Sequence, residues 1–533
     1  MTGPTSKAQS TKEVAQVVED SARVAEAHDA TQQEHEMGLL EALSLYPKGV
    51  LWSIVMSTAV IMEGYDTKLM GSFYAQPAFQ KAYGVEVKPG SYQITAPWQA
   101  GLGNGSTVGQ LMGLLVAGYA SERFGFRRTM LVSMVVIAAF IFIPFFAPNI
   151  EVLEVGQVLF GIPLGLFQTV TVVYASEITP LCLRPYLTNY AFGQIIATGL
   201  LRGVLSRTDE WAYRIPFAAQ WVWPAILMPA IYLAPESPWW LVRRGRLDQA
   251  RRELQRLTSA RNVHFDLEKN ISLMLVTTEH ERAVDAATSY WACFRGVNTR
   301  RTVIAIGIYC IQTLSGNPLR AYSTYFLQQA GMPTTQAFNM AIIGYGVAIG
   351  GGFFSWVLLP LFGRRTIYLW GLCLMFIIMV LVGGLGVPQA ESPKPAYAWA
   401  IGSVLIVSSF LYNCSIGPLT NTLCAEIPST LLRSKTVVLA RWSYTVSGIV
   451  AGTLTPYQLN PTAWNWAAKT GFFWAGACLI SVVFSFFYVP ESKGRTTAEM
   501  DLLFEKKVAP RRFAKTQVNF NEIIPTNNKE ESV

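Results

Sequence analysis

Apolar residues run through this chain in long blocks, separated by short polar connections. Blocks near the ~20 residues a helix needs to cross a bilayer lie over 50–72, 99–120, 129–147, 152–175, 186–206 and 215–234. A second set lies over 302–326, 337–361, 366–387, 398–424, 435–455 and 469–489. Charge crowds into 1–48, 243–301 and 491–533. The pattern predicts an all-α membrane protein of twelve transmembrane helices. A polar tail (1–48) precedes a six-helix bundle (49–235), a helical linker (236–301), a second six-helix bundle (302–490) and a final tail (491–533).

The second half repeats the first. Ser121–Arg128 reads SERFGFRR and Pro360–Arg365 reads PLFGRR. Glu177–Arg184 reads EITPLCLR and Glu426–Arg433 reads EIPSTLLR. Pro235–Trp240 reads PESPWW and Pro490–Arg495 reads PESKGR. The three motifs recur in the same order, roughly 250 residues on, each at the end of an apolar block. Duplicated hydrophobic segments mark transporters built from two related halves, with the substrate site between them.

Composition supports a membrane chain: 51% of residues are hydrophobic and 14% charged, against about 25% charged in soluble proteins. The formal charge of +8 reflects topology. No basic patch interleaved with aromatics points to nucleic acid. Seven scattered cysteines and four histidines, all four in polar segments, form no metal or disulfide framework, and no cofactor motif is present. The amino terminus lacks the short apolar core of a signal peptide and reads as a tail without fixed structure. Every even-numbered connection is basic, through Arg123, Arg127 and Arg128, Arg184, the 243–301 loop, Arg364 and Arg365, and Arg433 and Lys435. The positive-inside rule then places both termini and the linker in the cytosol. Leu247, Leu254 and Leu257 give the linker helical spacing.

Glu122, Arg123, Arg127, Glu177, Arg184, Glu426 and Arg433 sit at the mouths of these helices. Such charges can form a cytosolic gate that closes in one state and breaks in another. Single surface pairs contribute under about 1 kcal/mol, so only a network biases the two states. The alternative is that the arginines only enforce topology.

The motifs quoted above, with GYASERFGFRR, PESPWWLVRRG and PESKGRTTAEMD, resemble the signature set of sugar porters of the major facilitator superfamily, over about residues 45–505. MEGYDTKLMGSFYAQPAF at 62–79, SGNPLRAYSTYFLQQAGM at 315–332 and VVLARWSYTVSGIVAGTLTPYQLNP at 437–461 look like its fungal maltose and α-glucoside permease branch. The resemblance implies two six-helix bundles, alternating access and a disaccharide substrate, often moved with protons across the plasma membrane. The expected partners are sugar, proton and the lipid bilayer. Nothing in the sequence sets an oligomeric state.

Carboxylates inside spans are costly and default to a functional reading. Glu63 and Asp66, three apart in span one, share a helix face. Asp66 matches the family's span-one acid, which implies proton coupling. Arg441 in span eleven is the candidate partner of a span-one carboxylate. Gln110 stands where the branch commonly carries glutamate. Lys68 replaces a small or apolar residue, and either snorkels or pairs across a helix interface. The resemblance assigns sugar contact to Gln312, Tyr322, Tyr325 and Asn421, with hydrogen bonding between helices as the alternative reading of each polar side chain. Span five looks about five residues shorter than in relatives, more than one turn at 3.6 residues per turn, so Gln194 is the candidate contact there. Arg202, near the outer end of this span, points to the headgroups.

Three function classes stand. The first is an α-glucoside transporter coupled to protons. The second is a sugar sensor or an uncoupled facilitator on the same fold. The third, a membrane enzyme, has no nucleophile–base set or phosphate loop to support it.

Overall fold

A computed structural model describes residues 47–178, 190–258, 267–287, 289–392, 394–429, 432–493, 495 and 497–516. Residues 1–46 of the predicted tail, and Arg184, lie outside the described residues. Among the described residues, helices occupy the predicted stretches. The first half holds α1 (Pro47–Ser57), α2 (Ala59–Phe73), α3 (Ala96–Phe124), α4 (Phe126–Phe140), α5 (Ile150–Ile178), α6 (Tyr190–Val204), α7 (Trp211–Ala219) and α8 (Val222–Leu233). The linker forms α9 (Pro238–Arg243), α10 (Leu247–Leu257) and α11 (Leu267–Ala287). The second half holds α12 (Val297–Leu314), α13 (Asn317–Ala321), α14 (Ser323–Gln329), α15 (Thr334–Leu361), α16 (Arg364–Glu391), α17 (Pro395–Cys414), α18 (Ile416–Glu426), α19 (Arg433–Leu459) and α20 (Thr470–Tyr488). A final helix, α21, covers Thr497–Glu505.

Among the described residues, eight stretches are long and apolar enough by themselves to cross a membrane. The other four are the first, second, fifth and seventh spans. Their polar residues lower the hydropathy: Glu63, Asp66 and Lys68 in the first, Asn104, Ser106 and Gln110 in the second, Arg202 in the fifth and Arg320 in the seventh. These same spans form the seam between the halves. Helix α2 packs along α6 and meets α14, α3 packs on α19, and α6 packs on α15.

Hydropathy predicts unbroken spans, but several are broken. The seventh breaks at Gly316, whose φ of 80° is left-handed, and restarts at Asn317–Pro318. Glycine adopts this backbone without a Cβ clash, and proline suits a helix start. The first span breaks at Thr58 and the tenth at Ser415. Between the first and second spans a helix (Pro77–Tyr83) and an antiparallel hairpin, β1 (Val85–Lys88) with β2 (Ser91–Gln93), cap one end of the bundle.

The apolar core divides in two. One cluster gathers Met56, Met130, Phe167, Tyr174 and Ile231 with Leu254, Leu257, Ile271 and Met274 of the linker. The linker leucines, spaced as for a helix, therefore pack into the core of the first half. The other cluster runs from Phe73, Tyr74 and Phe217 through Tyr322 and Tyr325 to Tyr368, Met379 and Trp474. Apolar packing thus joins the halves through Tyr74, Tyr322 and Tyr325, and the same cluster extends through the second half to Met500, Leu503 and Phe504 of α21.

Candidate functional site

Two carboxylates of α2 lie at the seam, both buried. Asp66 Oδ2 accepts from Ser106 Oγ of the second span at 3.0 Å, and Oδ1 accepts from Gln220 Nε2, between α7 and α8, at 3.2 Å. Glu63 Oε1 accepts from Gln168 Nε2 of the fourth span at 3.0 Å. Arg441, on α19 of the other half, acts electrostatically on Glu63 without a direct ion pair, and also interacts with the Tyr309 hydroxyl. Among the span-one acids, Glu63 is the one on which Arg441 acts. Asp66 is instead wrapped by neutral donors of its own half.

Close backbone packing sets this geometry. Gly109 and Gly113 of α3 lie against Gly161 and Gly165 of α5, and a Cβ at any of them would meet backbone of the facing helix. Small residues let two helices approach to this extent. A Cβ at Gly193 would likewise meet backbone at Ile61 and Tyr65 of α2. This contact carries Gln194, half-buried on α6, alongside α2.

Above the acids, away from the linker, the first and seventh spans close on each other. Lys68 is 1% exposed. Its ammonium donates to Ala321 O at 2.8 Å and to Ser323 Oγ at 3.0 Å, and lies 5.2 Å from the Tyr345 ring centre. A buried ammonium needs such acceptors, because burying it unpaired is strongly unfavourable. Lys68 therefore pairs across the helix interface and does not snorkel. Gln328 Nε2 donates to Ala75 O at 3.3 Å, and the Tyr74 ring stacks on Tyr322 at 6.1 Å and meets Tyr325 edge-on at 6.2 Å. Asn104 donates to Ile449 O and Thr453, and Asn460 to Ile94 O. Arg202 Nε donates to Asn339 Oδ1 of the other half at 3.0 Å. Every polar hydrogen bond between the halves among the described residues lies at this end. Polar contacts thus join the halves at the hairpin end.

The expected sugar-contact residues lie on both sides of the seam. Gln312, half-buried at the end of α12, donates to Gly417 O at 3.4 Å. Asn421 is exposed on α18 and its Oδ1 accepts from Tyr309 Oη at 3.0 Å. Tyr322 and Tyr325 are buried in the lid. Trp442, next to Arg441, is 50% exposed.

At the linker end the recurring charges form two separate clusters, one per half. Arg243 donates to Glu177 Oε1 at 2.6 Å, and Ser237 Oγ donates to Glu177 Oε2. Glu236 Oε1 accepts from the Phe126 amide at 2.9 Å, at the start of α4. Burial pushes the Glu236 carboxyl upward, opposed by the amides of Ser237, Arg127 and Phe126. Glu491, its counterpart, accepts from the Arg364 amide at 2.8 Å, at the start of α16, and Arg364 lies 3.7 Å from Glu426. A carboxylate at a helix start is favoured by the free amides and the dipole. Trp240 Nε1 and Arg244 donate to Glu122 O, while the Glu122 and Arg123 side chains are exposed. The Arg127 guanidinium lies 5.0 Å from the Tyr232 ring centre. Arg433 Nε has no hydrogen-bond partner. Of the described gate residues, Glu177 and Glu426 form ion pairs, with Arg243 and Arg364, and no described pair bridges the halves.

Sequence reasoning missed Ser106, Gln168, Gln220, Tyr309, Glu236 and Glu491 as partners. The last two are legible, because PES recurs in both halves. Glu154 was also missed. It is a half-buried acid one turn from Gln157, set against Gly101 and Gly105 of α3.

Comparison with known proteins agrees with this arrangement. A family model described as sugar (and other) transporter matches residues 52–504. The general alpha-glucoside permease of Saccharomyces cerevisiae is 40% identical over 504 residues, covering 93% of this chain and 81% of that permease. Maltose permease MAL61 of Saccharomyces cerevisiae is 42% identical over 505 residues, covering 93% and 82%. The inward open structure of the xylose transporter XylE from E. coli superposes with a TM-score of 0.67 at 19% identity, covering 85% of this chain and 98% of that one. That likeness shows the fold. With its repeated motifs, this family match over most of its length and these relatives, the chain belongs to the sugar (and other) transporter family.

Proposed function

We propose that this chain carries an α-glucoside disaccharide, maltose first among them, across the plasma membrane with protons by alternating access. The observation that carries the reading is the pair of buried acids on α2, one of which faces Arg441 of the opposite half. An acid and a base on different halves turn a protonation into a change in the attraction between them. With Glu63 charged, its field and that of Arg441 hold the seam. Protonation removes that attraction and favours separation.

Asp66 holds the second carboxyl position, where it accepts hydrogen bonds from Ser106 and Gln220. Both termini and the linker lie in the cytosol in this reading, so the present conformation faces inward and the Lys68–Ala321 lid closes the outer side. Sugar is held between Gln312 and Asn421 of one half and Gln194 of the other, with Tyr322 and Tyr325 above. Glu177–Arg243 and Arg364–Glu426 are the charges from which an inner gate across the halves is assembled on closure.

Uptake of labelled maltose into cells that lack their own permeases tests the substrate. Saturable uptake, competed by other α-glucosides and not by cellobiose, is expected. Absence of maltose uptake, with the protein at the cell surface, would remove the α-glucoside assignment and leave a sensor.

A further inference from the structure

The linker end of the first half carries a cleft of ≈ 400 Å³ between the start of α4, the end of α8 and the linker. Arg127, Arg128 and Arg246 line it. The one acid in its wall, Glu236, is spent on the amides of Phe126, Arg127 and Ser237. Among the described residues, neither Arg128 nor Arg246 has a carboxylate within ion-pair distance, and both are exposed. Arg246 lies 6.0 Å from the Trp240 ring centre, and Tyr232 and Phe124 are 63% and 51% exposed at the rim. Exposed aromatics at the end of a span mark headgroup depth.

The second half closes the equivalent place with its own chain. There Arg511, from the segment after α21, stacks 4.2 Å from Phe486 and 4.1 Å from Phe487. Phe487 stands four residues before Glu491, as Tyr232 stands before Glu236. In the first half no described segment fills the corresponding cleft.

We propose that this cleft binds the phosphate-bearing headgroup of an anionic glycerophospholipid. Arginines at headgroup depth present fork-shaped donors to phosphate, and Tyr232 and Phe124 meet the acyl region. Arg246 belongs to the linker and Arg128 to α4, so one lipid ties the linker to the transmembrane bundle. The inference rests on the membrane setting of the family and not on the identity of the sugar.

Native mass spectrometry of the purified protein in neutral detergent tests it, with phosphatidylserine, phosphatidylcholine or inorganic phosphate added. Phosphatidylserine should be retained over phosphatidylcholine, and the double variant Arg128→Gln, Arg246→Gln should lower that retention roughly tenfold or more. Arg511→Gln should leave it unchanged, and an unchanged melting temperature of the double variant certifies its fold. Equal retention of both lipids, or full retention by a folded double variant, overturns the site. Displacement of phosphatidylserine by millimolar inorganic phosphate overturns the lipid assignment in favour of a free phosphate. Maltose uptake is not part of the readout, so a wrong sugar assignment leaves this test standing.

Discussion

Asp66 and Glu63 sit three apart on one helix, yet their surroundings differ. Asp66 accepts two neutral hydrogen bonds inside its own half, whereas Glu63 faces Arg441 across the seam. Asp66→Asn keeps the shape and most hydrogen bonding but cannot titrate. It should abolish accumulation of sugar while leaving counterflow of preloaded sugar, and loss of both together would mean a structural role. Gln312 contributes an amide beside Gly417 O, only weakly engaged at 3.4 Å and free to turn to a ligand. Gln312→Ala should weaken sugar binding by about 1–3 kcal/mol, the loss of one hydrogen bond to a buried hydroxyl. Equilibrium binding to the purified protein reads it directly, and an unchanged affinity would take Gln312 out of the site. Glu63, Asp66 and Arg441 were legible because charge inside an apolar run is rare. Ser106, Gln168 and Gln220 were not, since a neutral polar side chain in a span reads the same whether it meets an acid or another helix.

The broken first and seventh spans make the lid at the hairpin end. Lys68 is buried in it, and one of its two acceptors, Ala321 O, lies where α13 ends, the other being Ser323 Oγ. Lys68→Met fills similar space without the bonds, so it should favour the state open at the hairpin end. Thiol labelling of Thr324→Cys, buried beneath that lid, should speed up severalfold in the variant, and equal labelling rates would deny Lys68 a latching role. The lysine was conspicuous in the sequence, but its partner, some 253 residues away, follows only from the packing of two halves. The span breaks were equally hidden, because hydropathy averages over a window and does not register a single left-handed glycine. The hairpin Val85–Gln93 was missed because it is short and lies in a connection read only for its charge.

The duplication makes the architecture of the whole molecule readable from sequence: recurring motifs predict two halves, and the halves carry matching clusters, Glu236 on the α4 amides and Glu491 on the α16 amide. What duplication does not encode is which conformation is populated. Here the polar bonds between halves among the described residues lie at the hairpin end, and at the other end Glu177 pairs with Arg243 and Glu426 with Arg364. If that other end faces the cytosol, a cysteine placed at Lys88 of the hairpin should react with a membrane-impermeant thiol reagent in intact cells, and one at Gln249 of the linker only after permeabilisation. The reverse pattern would invert the topology. The central claim is that protons drive sugar through a seam built on Asp66, Glu63 and Arg441. The most direct test is uptake of labelled maltose into sealed vesicles holding the purified protein, with the outside made acidic. The account predicts accumulation above the external concentration that a protonophore abolishes, while uptake that only equilibrates and ignores the pH gradient would contradict it.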